Sequence, residues 1–171
     1  MNLPNKLTLV RIALIPLCLV CWGLGWPLVA AALFGAAAIT DFLDGYIARK
    51  QNIVTTFGKF ADPVADKILV LCAMIFLCAD GLLPPWAVAI VAARELMVDG
   101  LRMVAAQKGV VIAAGWLGKI KTNLQLFCVL CAMIFAKCLV TDILMYLMAV
   151  MTLLSGIQYF MNGWKLIMEE K

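Results

Sequence analysis

The feature that most limits how this chain can fold is a succession of apolar runs, each roughly the twenty residues a helix needs to cross the hydrocarbon of a bilayer, broken by short segments rich in glycine, proline or charge. Hydrophobic residues make up 65% of the 171 residues and charged residues only 14%, so an ordinary soluble domain is excluded. The expected fold is all-α: one polytopic membrane domain over residues 1–171, built as a six-transmembrane-helix bundle.

The runs place spans at about 7–22, 28–49, 59–79, 86–106, 122–136 and 143–164. The first is short and is entered through an interfacial segment at 4–6. Its basic start resembles a signal peptide, yet no small-residue cleavage site follows convincingly. Glycine and proline predict turns at 23–27 and in "DGLLPP", and Pro63 falls near the start of the third span, where its missing N–H is tolerated or causes a bend. Residues 107–121 read as a basic connection.

Six spans put both termini on one side. The basic residues of the amino terminus, the 49–59 and 102–121 connections and the carboxyl terminus fall together there, with only Lys137 opposite. The positive-inside tendency then predicts a multi-pass protein of the cytoplasmic (inner) membrane with both termini facing the cytoplasm. A net charge of +4 suits contact with anionic membrane lipids and requires no nucleic acid. Seven cysteines are present, including the C-x2-C pairs Cys18/Cys21 and Cys128/Cys131, but these four lie in apolar runs and read as small hydrophobes. Histidine is absent, which removes Ser-His and Cys-His mechanisms and leaves carboxylates or lysine as bases.

Against this apolar background, four of the ten acidic residues fall between Asp41 and Asp66. On a helix, Asp41 and Asp44 share a face with Gly45 and Ala48, and Gly58, Asp62 and Asp66 line one face of the next segment. Carboxylates brought that close repel one another unless a cation sits among them, and an all-oxygen ligand set suits Mg²⁺, Mn²⁺ or Ca²⁺ rather than zinc. The plainer reading is four solvated acids in a polar loop. Gly45, Ala48 and Gly58 weigh against it, because they clear side chains from the acidic faces. With Arg49 the pattern is D-x2-D-G-x2-A-R-x8-G-x3-D-x3-D, from Asp41 to Asp66.

That pattern resembles the signature of the CDP-alcohol phosphotransferases, matched here at every position by Asp41, Asp44, Gly45, Ala48, Arg49, Gly58, Asp62 and Asp66. The resemblance implies an integral membrane enzyme that moves a phosphatidyl or similar group from a CDP-linked lipid to an alcohol and releases CMP. It also implies Mg²⁺ or Mn²⁺, with two ions expected, held by Asp41, Asp44, Asp62 and Asp66. Asp66 is then the catalytic base, Asp41, Gly45, Ala48, Arg49 and Gly58 serve the nucleotide side, and the assembly is a homodimer.

The segments "NLPNKLTLVRIALIP", "FGKFADPVADK", "RELMVDGLR" and "GWLGKIKT" are similar to the branch of the family that joins CDP-diacylglycerol to glycerol 3-phosphate. Asp99 departs from that branch, which usually has a small or uncharged residue there. The same chemistry with inositol phosphate or serine is the nearest alternative, and a divalent-cation transporter or non-catalytic scaffold is a third.

A phosphate-bearing acceptor calls for fixed cations, and Arg94, Arg102 and Lys119 are the candidates, arginine gripping bidentately and lysine as a point charge. The competing expectation is structural: Arg94 and Arg102 pair with Glu95 and Asp99 inside the bundle, charges a lipid-facing helix would not tolerate cheaply, while Lys119 marks the membrane interface.

Overall fold

A computed structural model describes the backbone over residues 3–51, 56–107 and 115–168, with side chains described within 8–40, 64–107 and 115–161 and at 163. The described residues form six helices and no strand: α1 (Leu3–Gly23), α2 (Pro27–Gln51), α3 (Thr56–Ala79), α4 (Pro85–Gln107), α5 (Trp116–Phe135) and α6 (Leu139–Met168). All-helical architecture follows from the apolar runs, which have no period-2 alternation to support strands. Two stretches, Trp116–Phe135 and Leu139–Met161, are long and apolar enough to cross a membrane, and Thr8–Gly23 and Pro27–Thr40 are shorter apolar helical stretches.

Two reversals owe their sharpness to glycine. Gly25 and Gly81 adopt φ of 78° and 72°, the left-handed region in which a side chain is strained. At α1 the Gly25 and Trp26 amides donate back to the carbonyls of Trp22 and Cys21, and at α3 the Gly81 and Leu82 amides donate to Cys78 and Leu77. These paired bonds satisfy carbonyls that the helix ends would leave bare.

Contacts between helix ends fix the alternating chain direction. Trp22 Nε1 donates to Asp80 Oδ2 at 2.6 Å, bringing the ends of α1 and α3 together, and the Trp86 and Tyr146 rings lie 5.8 Å apart where α4 and α6 begin. The ion pairs described below gather towards the opposite end. Between them, Phe34, Met74, Leu77, Val91, Val129 and Met148 are fully buried in one apolar core to which all six helices contribute, α1 through Ile15, Cys18 and Cys21. Large apolar side chains also remain exposed on every helix, for example Leu17, Ile39, Ile75, Leu96, Phe127 and Ile157. An outer surface of that kind is far more apolar than a soluble monomer presents.

Several boundaries differ from the sequence expectation. α1 starts at Leu3, so 4–6 is the first helical turn rather than a separate interfacial segment; Pro4 sits where its missing N–H is not needed. α5 starts at Trp116, so Lys119 and Lys121 belong to a helix and not to the 107–121 connection. The Lys121 charge that suggested a loop there is matched by Glu95 on α4.

Candidate active site

Asp41, Asp44, Gly45, Ala48 and Arg49 fall on the carboxyl-terminal half of α2, and Gly58 and Asp62 on the first two turns of α3. These helices are consecutive and joined by residues 52–55, so the motif occupies the closing turns of one and the opening turns of the next. The side chains of those seven residues lie outside the described ones. Asp66 is the described member, one turn after Asp62, with 40% of its side chain exposed.

Asp66 is held from α1. Arg11 is completely buried, and its Nη1 donates to Asp66 Oδ1 at 3.0 Å. A guanidinium inside an apolar bundle is tolerable only when paired, and its planar donors suit a carboxylate.

Beside Asp66 opens a cavity of about 310 Å³, within the range of small-molecule sites. Its polar lining comes from Asp66 and Lys67 on α3, Glu95 and Arg102 on α4, and Lys121, Thr122 and Gln125 on α5. Among the described residues the titratable lining comprises three cations against two carboxylates, a balance that favours an anionic guest.

Glu95 organises this wall. It is buried, and its Oε1 accepts from the buried Lys121 ammonium and from Arg94 Nη1 at 3.3 Å, while its Oε2 lies 3.9 Å from Lys67 Nζ. Lys67 donates directly to Asp99, one turn further along α4 on the same face as Glu95. Gln125 completes the buried polar layer, its Nε2 donating to the Met74 sulfur at 3.5 Å.

Of the three cations expected to serve the acceptor, one lines the cavity and two do not. Arg102 lines the cavity, and its Nη2 donates to the Tyr159 hydroxyl at 2.6 Å from α6. Arg94 lies over the same Tyr159 ring, 5.6 Å from its centre, with its stem against Gly156; a Cβ there would stand 3.3 Å from Arg94 Cγ. Arg94 lines a second, largely apolar groove between α4 and α6 instead. Lys119 stacks on the Trp116 ring at 5.9 Å, away from the cavity lining. The expected pairing of Arg94 with Glu95 is present, whereas Asp99 takes Lys67.

Arg11, Lys67, Lys121, Gln125 and Tyr159 are parts of this arrangement that the sequence reading did not assign. A usable signal existed for Arg11: a lone cation inside an apolar run must find a partner within the bundle. For Gln125 and Tyr159 the sequence carries no such signal.

The residues fit a hard divalent cation by chemistry, since the motif supplies four carboxylates and no sulfur or imidazole. Among the described residues no group of three potential ligands comes together, Asp66 being the only described member of the four.

Residues 1–154 match the model of the CDP-alcohol phosphatidyltransferase family. The chain is 42% identical to a CDP-diacylglycerol–glycerol-3-phosphate 3-phosphatidyltransferase of Bacillus subtilis, covering 96% of each chain. It is 41% identical to the protein of that name from Rickettsia bellii, covering 93% of each, and 36% identical to that of Yersinia enterocolitica, covering 99% of this chain and 98% of the relative.

Proposed function

Because the chain belongs to the CDP-alcohol phosphatidyltransferase family, we propose that the cavity beside Asp66 is where its acceptor alcohol binds and reacts. The protein is an enzyme of phospholipid biosynthesis that transfers the phosphatidyl group of CDP-diacylglycerol to glycerol 3-phosphate, giving phosphatidylglycerophosphate and CMP. The observation that carries the site assignment is the juxtaposition of a half-exposed carboxylate, Asp66, with the cations Lys67, Arg102 and Lys121 around one small cavity.

The reaction is a displacement at phosphorus. The primary hydroxyl of glycerol 3-phosphate attacks the phosphorus that bears the diacylglycerol, a P–O bond forms, and the bond to the CMP oxygen breaks. Asp66 takes the hydroxyl proton on its carboxylate, and Arg11 orients that carboxylate from behind. Arg102, Lys67 and Lys121 hold the acceptor's phosphate dianion so that its hydroxyl reaches Asp66. Arg94 and Lys119 contribute charge from outside the cavity wall. Asp41, Gly45, Ala48, Arg49 and Gly58 serve the nucleotide. When Mg²⁺ or Mn²⁺ is bound by Asp41, Asp44, Asp62 and Asp66, the ions neutralise the diphosphate and stabilise the leaving phosphate.

In the same reading the chain is one membrane domain whose six helices all span the bilayer, multi-pass in the cytoplasmic membrane, with the reactive end facing the cytoplasm and the protein acting as a homodimer. Support for six spans comes from α4, whose Arg94, Glu95, Asp99 and Arg102 have partners within the bundle or border its cavities.

The test is CMP release by the purified protein in nanodiscs, given CDP-diacylglycerol, Mg²⁺ and a panel of acceptors. Release with glycerol 3-phosphate, and far less with serine or inositol phosphate, is expected. Comparable release with serine would overturn the phosphate-cavity assignment, and no release with any acceptor would favour a cation-binding or transport role.

A further inference from the structure

Asp99 is a charge in the interior of an apolar chain that the transfer chemistry does not use. It does not line the cavity, yet its carboxylate accepts directly from Lys67, which does. We infer that Asp99 is an affinity-setting residue, which competes with the acceptor's phosphate for Lys67 and so raises the acceptor concentration the enzyme requires. The inference rests on the reading of the cavity as the acceptor's phosphate site.

The two carboxylates near Lys67 differ in what they can give up. Glu95 is buried and already accepts from Lys121 and Arg94, so it cannot release its charge to water; its Oε2 stands 3.9 Å from Lys67, a background attraction without a close hydrogen bond. Asp99 has 37% of its side chain exposed and can be rehydrated when Lys67 leaves it. A phosphate dianion entering the cavity therefore recruits Lys67 by exchanging the Asp99 contact for its own, while the Glu95 carboxylate stays 3.9 Å from the ammonium's resting position. Breaking a partly exposed pair costs little, so Asp99 tunes affinity and does not block binding. Removing the carboxylate spares the acceptor that exchange.

The experiment measures acceptor dependence for Asp99→Asn and Lys67→Gln, singly and together, in nanodiscs with saturating CDP-diacylglycerol. For Asp99→Asn we expect the KM for glycerol 3-phosphate to fall roughly two- to fivefold, the range a partly exposed ion pair can supply. Inhibition by inorganic phosphate should tighten by the same factor, and the KM for CDP-diacylglycerol should not move. In the Lys67→Gln background the Asp99 substitution should change neither value. An unchanged or higher glycerol 3-phosphate KM in Asp99→Asn, with Lys67→Gln raising it, overturns the inference while leaving the cavity assignment intact. An equal fall with and without Lys67 also overturns it, since a general charge effect then suffices. If Lys67→Gln does not raise the glycerol 3-phosphate KM, the cavity assignment itself fails and the inference falls with it. Should Asp99→Asn not fold, Asp99→Ser carries the same expectations.

Discussion

Arg11 and Asp66 are 55 positions apart, and a 3.0 Å bond from the guanidinium to the carboxylate ties the first helix to the last acid of the motif. One partner is wholly buried and the other faces the cavity, so the pair is asymmetric: Arg11 is closed off from water, whereas Asp66 is open to it. Such a pair orients the exposed group more than it stabilises the fold.

Arg11→Gln is therefore expected to cut turnover at least about tenfold through misplacement of Asp66, with Arg11→Lys retaining more. Because Asp66 is partly exposed, the stability loss should stay below the roughly 3–5 kcal/mol seen on breaking a fully buried pair. CMP release and thermal unfolding of the same preparations check both parts, and a large fall in stability with undiminished turnover would contradict the orienting role.

Asp66→Asn preserves size and removes basicity. Turnover should fall by about 10²–10⁴, or further if metal binding fails as well. Measurement in nanodiscs at saturating substrates suffices, and near-normal turnover would remove Asp66 from its place as the base.

Glu95→Gln takes the anion from a cluster in which Lys121, Arg94 and Lys67 converge on one buried carboxylate. Leaving Lys121 buried and unpaired should cost about 3–5 kcal/mol of stability. The double change Glu95→Leu with Lys121→Met should cost less than the single one, because the most deeply buried cation of the cluster is then no longer stranded. Unfolding of the three proteins in one detergent decides it, and a double variant less stable than Glu95→Gln would refute the account.

Of Arg94, Arg102 and Lys119, only Arg102 borders the cavity. Arg102→Gln should raise the glycerol 3-phosphate KM about tenfold or more, as loss of a charged hydrogen bond does, without altering the dependence on CDP-diacylglycerol. Arg94→Gln and Lys119→Gln should have smaller effects. Equal effects from all three would point to a diffuse field instead of a contact.

Cys138 lies between α5 and α6, at the end opposite the cavity, where its sulfur is 3.2 Å from Thr141 Oγ1. The Thr141 side-chain hydrogen bond, and next the backbone amides opening α6, hold this thiol below its ordinary pKa. Since the thiolate is the reactive form, a lowered pKa means more of it at neutral pH. In a variant keeping only this cysteine, a membrane-impermeant maleimide should label Cys138 from outside the cell, and the rate should level off at a lower pH than for a simple exposed thiol. Labelling confined to the cytoplasmic face would invert the topology proposed for the chain.

The sequence by itself determined the all-helical architecture, the number of helices, the sharp reversals at Gly25 and Gly81 and the family, because each depends on local chemistry or on fixed spacing within a few turns. The pattern from Asp41 to Asp66 is legible in the sequence for the same reason. Tertiary structure decided which cations surround the cavity. Arg11, Lys67 and Lys121 each stand in otherwise ordinary surroundings along the chain, and their partners lie 26 to 55 positions away on other helices. It also moved the start of α5 to Trp116 and put Arg102, but neither Arg94 nor Lys119, in the cavity lining. In an apolar bundle a charge must find its counter-charge inside the protein, so pairing is settled by how the helices pack, and no spacing along one helix reveals it.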